Sequence, residues 1–268
     1  MAQRPTWREV LDRFHPAGLL YSTYEHRVLA EIKPEQRPRH VAVMADGNRR
    51  WARANAPGEP LEVGYRAGAR RLVEFCEWCD EAQIQVVTLW VLSTENITRD
   101  AAEVGPLLEV IVDLADELAV HRDWQVHCVG ALDLLPDGAA DRLRSAAERT
   151  DGETGMVVNI AVSYGGRQEL RDAVRSLLAE HAERGTSLTE LADELEIEHI
   201  ASHLYTAGQP DPDLVIRTSG EQRIGGFLLW QSVHSEFYFC DALWPDFRKV
   251  DFIRALRSFA QRERRYGR

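Results

Sequence analysis

The residues best equipped for chemistry stand at the ends of apolar runs. Asp46-Gly47-Asn48-Arg49-Arg50-Trp51 follows directly on His40-Val41-Ala42-Val43-Met44, so a carboxylate, an open glycine backbone and two guanidiniums stand close together. Ser93-Thr94-Glu95-Asn96, with Arg99 just beyond, ends a second run, Tyr164-Gly165-Gly166-Arg167 ends a third, and Arg217 to Glu221 with Arg223 ends a fourth. Glu236 adds one more carboxylate. Guanidiniums and helix N-termini attract phosphate, whereas a carboxylate beside them repels it unless a divalent cation bridges the two. A diphosphate held with Mg²⁺ is the economical reading. Any one cluster alone reads equally as solvated surface charge, which contributes little to stability.

These tips can meet only if the runs behind them lie side by side. The run at 85–92, Gln-Val-Val-Thr-Leu-Trp-Val-Leu, has the β-branched character of a strand buried on both faces. Further strands are expected at 125–129, 157–162, 214–217 and 236–239. Helical spacing marks 64–82, 103–120 with Pro106 in its first turn, 137–150, 168–184, 188–204 and 250–264. Strands alternating with helices predict an α/β fold of about six mostly parallel strands flanked by helices, whose tips emerge on one sheet edge. Residues 7–14 and 21–33 have helical periodicity. With the polar linker after them, they divide the chain into an extension, 1–37, and a catalytic domain, 38–268.

The chain has 268 residues, enough for one large α/β core. A net charge of −11 argues against nucleic acid as a partner, because backbone phosphates need a basic face. No apolar run approaches the roughly 20 residues that span a bilayer, and the N-terminus lacks a signal-peptide core. An uncleaved cytoplasmic chain with at most peripheral membrane contact is expected. Cys76-Glu77-Trp78-Cys79 has redox spacing but falls inside a helical pattern, so two packing cysteines are expected. The phosphate-loop, dinucleotide-fold and hydrolase-elbow motifs are absent, which removes the usual support for nucleotide hydrolysis, nicotinamide redox and ester hydrolysis.

The blocks M-A-D-G-N-R-R-W-A, G-Y-R-A-G-A-R, L-S-T-E-N, Y-G-G-R and D-L-V-I-R-T-S-G-E-Q-R-I-G-G-F-L-L-W-Q, followed by S-E-F-Y-F and L-W-P-D-F, resemble the cis-prenyltransferase (undecaprenyl diphosphate synthase) family from about Pro38 to the C-terminus. The N-terminal segment and Ile97 resemble its actinobacterial short-chain branch. The resemblance implies a homodimer that condenses isopentenyl diphosphate head-to-tail with an allylic diphosphate. It implies Mg²⁺ dependence, a Z double bond and an apolar product tunnel. A short product, Z,E-farnesyl diphosphate from geranyl diphosphate, is expected. The alternatives are a decaprenyl- or undecaprenyl-type synthase, or a non-catalytic partner subunit.

Position by position, the resemblance makes Asp46 the carboxylate for the metal on the allylic diphosphate. Gly47, Asn48, Arg49 and Arg50 would form its cradle, with Trp51 packing behind and Arg99 assisting. Asn96 with Ser93 would aid proton removal, while Tyr65, Thr94 and Glu95 would border the substrates. Arg217, Arg223 and the Gly225 backbone would take isopentenyl diphosphate, and Glu236 would complete its metal site. Val91 would set chain length at the tunnel floor. The chain departs from the commonest pattern at Arg49 (glycine), Tyr65 (histidine), Leu61 (arginine nearby), Ile97 (aromatic), Gln222 (histidine) and Gly225 (serine).

Overall fold

The structure, a computed structural model, describes residues 27–29, 31–121 and 123–262. The expected helix at 7–14 and much of that at 21–33 lie outside the described residues. Residues 38–246 form one compact unit. It contains the sheet and every candidate site residue. The described parts of 27–37 and 247–262 belong to a second unit.

Six strands build the sheet: β1 (His40–Met44), β2 (Val86–Trp90), β3 (Gln125–Val129), β4 (Val157–Ala161), β5 (Leu214–Arg217) and β6 (Glu236–Phe239). Their order is β3-β4-β2-β1-β5-β6 and all five pairings are parallel. β1 is buried along its whole length, as expected of an inner strand covered on both faces. From β1 the chain crosses to β2 on one side, and from β5 to β6 on the other. The edge beyond β1 and β5 is therefore the topological switch point, where open parallel sheets leave a crevice for ligands.

The helices are α1 (Asn48–Asn55), α2 (Glu62–Glu81), α3 (Thr94–Ile97), α4 (Ala101–Leu118), α5 (Asp137–Glu148), α6 (Gly166–Glu183), α7 (Leu188–Glu194), α8 (Ile197–Ala201) and α9 (Lys249–Ala260). α2 buries Tyr65, Gly68, Leu72, Cys76 and Cys79, a single face at helical spacing. Cys76 and Cys79 are both buried free thiols whose pKa burial raises, as packing cysteines should be. Two details differ from expectation. Asp100 accepts a hydrogen bond from the Ala102 N–H at 2.9 Å and starts α4 early, leaving Pro106 in the second turn. A cap outside the apolar pattern, invisible to periodicity, sets that boundary. Residues 188–204 form two short helices, because the Glu196 N–H donates to His199 Nδ1 at 3.1 Å and caps a new start.

A buried polar chain ties the sheet together behind the site. A carbonyl can only accept, so the 2.7 Å contact of His40 Nδ1 with Pro210 O places the proton on Nδ1. Nε2 then accepts from Thr88 Oγ1 at 2.8 Å, and Thr88 in turn accepts from Asn159 Nδ2 at 3.0 Å. Burial lowers the His40 pKa from 6.5 to about 4. Above pH 6.5 both folded and unfolded chains hold this histidine neutral, so it adds no pH dependence. Between pH 6.5 and about 4 only the unfolded chain takes up the proton, which removes about 3 kcal/mol of stability by linkage. Urea unfolding across that window is expected to show this loss, and His40→Gln is expected to flatten it.

Candidate active site

Gly47 is what allows β1 to turn into α1. Its φ of +114° lies in the region that favours glycine, and a Cβ there would stand 2.9 Å from Leu243 Cδ2. No side chain caps α1, so its first N–H groups face the crevice open to an anion. The preceding turn is stapled from two sides. Asp46 N–H donates to Thr218 Oγ1 at 3.1 Å while the Thr218 hydroxyl contacts Asp46 O at 2.8 Å. Trp244 N–H donates to Asp46 O at 3.0 Å, and the Trp244 indole N–H donates to Gly68 O at 2.9 Å. The L-W-P-D-F block therefore anchors the Asp46 turn to α2.

The Asp46 side chain, 41% exposed, stands between two guanidiniums. Arg217 Nη2 is 3.3 Å from Oδ2, and Arg50 Nη2 is 3.7 Å from Oδ1. Arg217, 7% exposed, also donates from Nη1 to the Arg223 carbonyl, and its Nε is buried without a partner among the described residues. That same loop carries Gly225 at φ +63°, where a Cβ would stand 3.3 Å from Arg217 Nη1 and 3.4 Å from the Trp90 ring. The serine of the commonest pattern would have to share space with the tryptophan. Trp90 itself stacks on Phe227 at 5.0 Å between centroids.

These groups surround a cavity of about 620 Å³, a size typical of small-ligand sites. Asp46, Gly47, Asn48, Arg49, Arg50, Tyr65, Val91, Ser93, Glu95, Asn96, Arg99, Arg217, Arg223 and Gly225 all line it. Three of the four polar tips therefore converge. The fourth does not: Tyr164 is buried, and its hydroxyl donates to Glu169 Oε2 at 2.5 Å. Gly166 N–H instead supports the loop that carries Gly225 by donating to Gly226 O at 2.8 Å.

Three expected site residues stand elsewhere. Trp51, expected to pack behind the cradle, is outside the cavity lining and donates its indole N–H to Asp246 Oδ1 at 2.8 Å. The Thr94 hydroxyl lies 2.6 Å from where a Cβ on Gly165 would be, outside the cavity lining. Glu236 is the first residue of β6, paired with Leu214, whereas Arg217 pairs with Phe239. Three residues of strand, about 10 Å, separate its level from the tips, so one chain does not bring Glu236 to Asp46. The motif gave its carboxylate but not its register.

Sequence reading also missed residues. Arg53 lines the cavity, one helical turn from Arg49 and Arg50. Glu103 takes Tyr65 OH at 2.9 Å and Arg99 Nη1 at 3.0 Å, and pairs with Arg49 Nη1 at 3.4 Å. Burial, and then Glu103, push the Tyr65 phenol up to about 12, in keeping with its donation to Glu103. Ser93 caps α3 by accepting from Asn96 N–H at 3.2 Å, which fixes both residues at the cavity wall.

A divalent cation fits this donor set. Among the described residues no group of three or more potential metal ligands exists. Asp46, flanked by guanidiniums, is one of the carboxylates lining the cavity, and Mg²⁺ is commonly held by one or two carboxylates with substrate phosphate oxygens and water completing its shell.

Comparison with known proteins agrees with this geometry. Residues 44–267 match the family model described as putative undecaprenyl diphosphate synthase. The (2Z,6E)-farnesyl diphosphate synthase of Thermobifida fusca is 54% identical over 92% of this chain and 97% of that protein. The short-chain Z-isoprenyl diphosphate synthase of Mycobacterium bovis is 51% identical over 93% of this chain and 96% of its own length. The crystal structure of lavandulyl diphosphate synthase from Lavandula x intermedia, in complex with dimethylallyl diphosphate, is similar with a TM-score of 0.80 and 32% identity, covering 87% of this chain and 100% of that one. With its motif blocks in order and its polar tips gathered at the switch point of a parallel sheet, the chain belongs to the undecaprenyl diphosphate synthase family of cis-prenyltransferases.

Proposed function

We propose that this chain condenses isopentenyl diphosphate with geranyl diphosphate in a Mg²⁺-dependent reaction, forming a Z double bond and releasing (2Z,6E)-farnesyl diphosphate and pyrophosphate. The observation that carries the reading is Asp46 at the open N-terminus of α1, flanked by Arg50 and Arg217 at the edge of the cavity. Support for the short product comes from the names of relatives at about half identity over nearly their full length.

On this reading the free N–H groups of α1 and the Arg50 guanidinium hold the allylic diphosphate, and Arg217 with Arg223 holds the isopentenyl diphosphate. Asp46 would hold Mg²⁺, which would supply neutralisation of the leaving diphosphate. As the allylic C–O bond breaks, negative charge builds on the leaving oxygen, and guanidiniums already in place stabilise it more in the transition state than in the ground state. A carbon–carbon bond forms to the isopentenyl unit, which then loses one proton near Ser93 and Asn96. The apolar residues Met44, Trp90, Val91, Leu92 and Leu107 border the same cavity. They are the part of the wall from which a product tunnel would extend, with Val91 at its floor.

A homodimer is supported by the edge strand β6, where Phe237 and Phe239 stack at 6.2 Å and Phe239 is exposed. No helix among the described residues is long and apolar enough to cross a membrane, and a cytoplasmic enzyme with at most peripheral membrane contact is proposed.

Incubation with geranyl diphosphate, labelled isopentenyl diphosphate and Mg²⁺, followed by product chromatography, tests the whole reading. No turnover with any allylic primer refutes it, and decaprenyl-length product refutes the length assignment. Asp46→Ala is expected to keep its fold and lose at least ~10²-fold in kcat. Val91→Ala is expected to lengthen the product, measured as chain distribution. Gly225→Ala places a side chain at positive φ and is expected to cost about 1 kcal/mol of stability, with a raised KM for isopentenyl diphosphate because the new methyl group crowds Arg217.

A further inference from the structure

Glu103 concentrates three donors on one oxygen. Oε1 receives Tyr65 OH at 2.9 Å and Arg99 Nη1 at 3.0 Å, and Arg49 Nη1 approaches to 3.4 Å. The donors come from different places: Arg49 from α1, Tyr65 from α2, and Arg99 from the turn after α3, with Glu103 itself in the first turn of α4. All three donors line the cavity, and Glu103 does not. It stands behind the wall and holds the residues that form it.

We propose that Glu103 is a positioning residue for the allylic diphosphate, holding Arg49 and Arg99 at the cavity wall with Tyr65 as its uncharged anchor. The proposal rests on the diphosphate reading above and deepens it. Two guanidiniums brought together without a carboxylate repel each other and turn outward to water. With Glu103 between them they stay close, and their remaining N–H groups are available to phosphate. Tyr65 adds a third bond without adding charge, so the carboxylate keeps one partner when the arginines shift toward substrate. A carboxylate at the start of α4 is also favoured by the helix dipole.

The proposal accounts for two of the chain's departures from the commonest family pattern. Arg49 stands where glycine is usual and Tyr65 where histidine is usual, and the structure joins both to the same oxygen. The two substitutions act as one device, with Glu103 as their common partner.

The sign of one mutational effect separates this role from simple electrostatics. Removing a negative charge beside an anion site tightens anion binding if the carboxylate merely competes for the arginines, and weakens it if the carboxylate positions them. Steady-state kinetics with geranyl diphosphate and isopentenyl diphosphate, together with calorimetric binding of inorganic pyrophosphate, are the measurements. Glu103→Ala is expected to raise KM for the allylic diphosphate about 10-fold, the scale of a lost charged hydrogen bond, and to leave kcat within about 3-fold. Glu103→Gln, whose amide oxygen still accepts from Tyr65, is expected to recover part of that loss. In the double variant with Arg49→Ala, the two losses are expected to overlap instead of multiplying.

An unchanged or lowered KM in Glu103→Ala overturns the proposal, as does a double variant whose losses multiply. Should Glu103→Ala lack a cooperative melting transition, Tyr65→Phe tests the same clamp with the ring retained. A KM raised about 3-fold is expected there, and an unchanged KM overturns the clamp. A wild-type chain that neither turns over any primer nor binds pyrophosphate overturns the diphosphate reading and the clamp together. Normal wild-type turnover with insensitive Glu103 variants overturns the clamp alone.

Discussion

The ion pair between Arg217 and Asp46 is the contact on which the site depends. A guanidinium at the end of an inner strand, almost out of solvent, needs its charge answered locally. Asp46 answers it from the neighbouring strand, and the Arg223 carbonyl from the loop beyond. Those two contacts tie the loop after β5 to the turn after β1, which is where the sheet leaves its crevice. On the proposed function, a metal and a diphosphate entering there would meet a carboxylate already oriented by the Arg217 guanidinium.

Holding that pair in place takes groups without charge. Thr218 ties the two strand ends through the Asp46 backbone, Trp244 ties the same turn to α2, and Gly47 supplies the one backbone geometry that lets α1 begin immediately. Deeper in the sheet, the His40, Thr88 and Asn159 chain satisfies polar atoms that would otherwise destabilise a core covered on both faces. The candidate site is thus a polar rim on a sheet whose inner strands are buried.

Charge within the rim is arranged in two layers. Asp46 faces the cavity between guanidiniums, while Glu103 stands behind the wall and collects Arg49, Arg99 and Tyr65. The first carboxylate suits a cation carried with substrate. The second suits fixed geometry, because it has no cavity face of its own. Asp46 and Glu103 differ in surroundings, one facing the cavity and the other saturated by donors.

Much of this was legible in the residues themselves. Apolar runs ending in polar tips announced parallel strands and one polar edge, since the ends of parallel strands emerge on the same side of the sheet. The buried cysteines followed from helical spacing. The family blocks supplied the reaction class, because diphosphate chemistry demands arginines and a carboxylate together. Tertiary structure decided the rest. Register alone put Glu236 at the far level of β6, because nothing local to S-E-F-Y-F states which residue of β5 it faces. Tyr164 went to a buried carboxylate five residues on, and Trp51 to Asp246, by contacts between segments that no periodicity encodes. The clamp on Glu103 joins residues 38 and 54 positions apart. A sequence states which groups a chain carries, but a through-space hydrogen bond depends on where packing sets each helix, and that is a property of the whole fold.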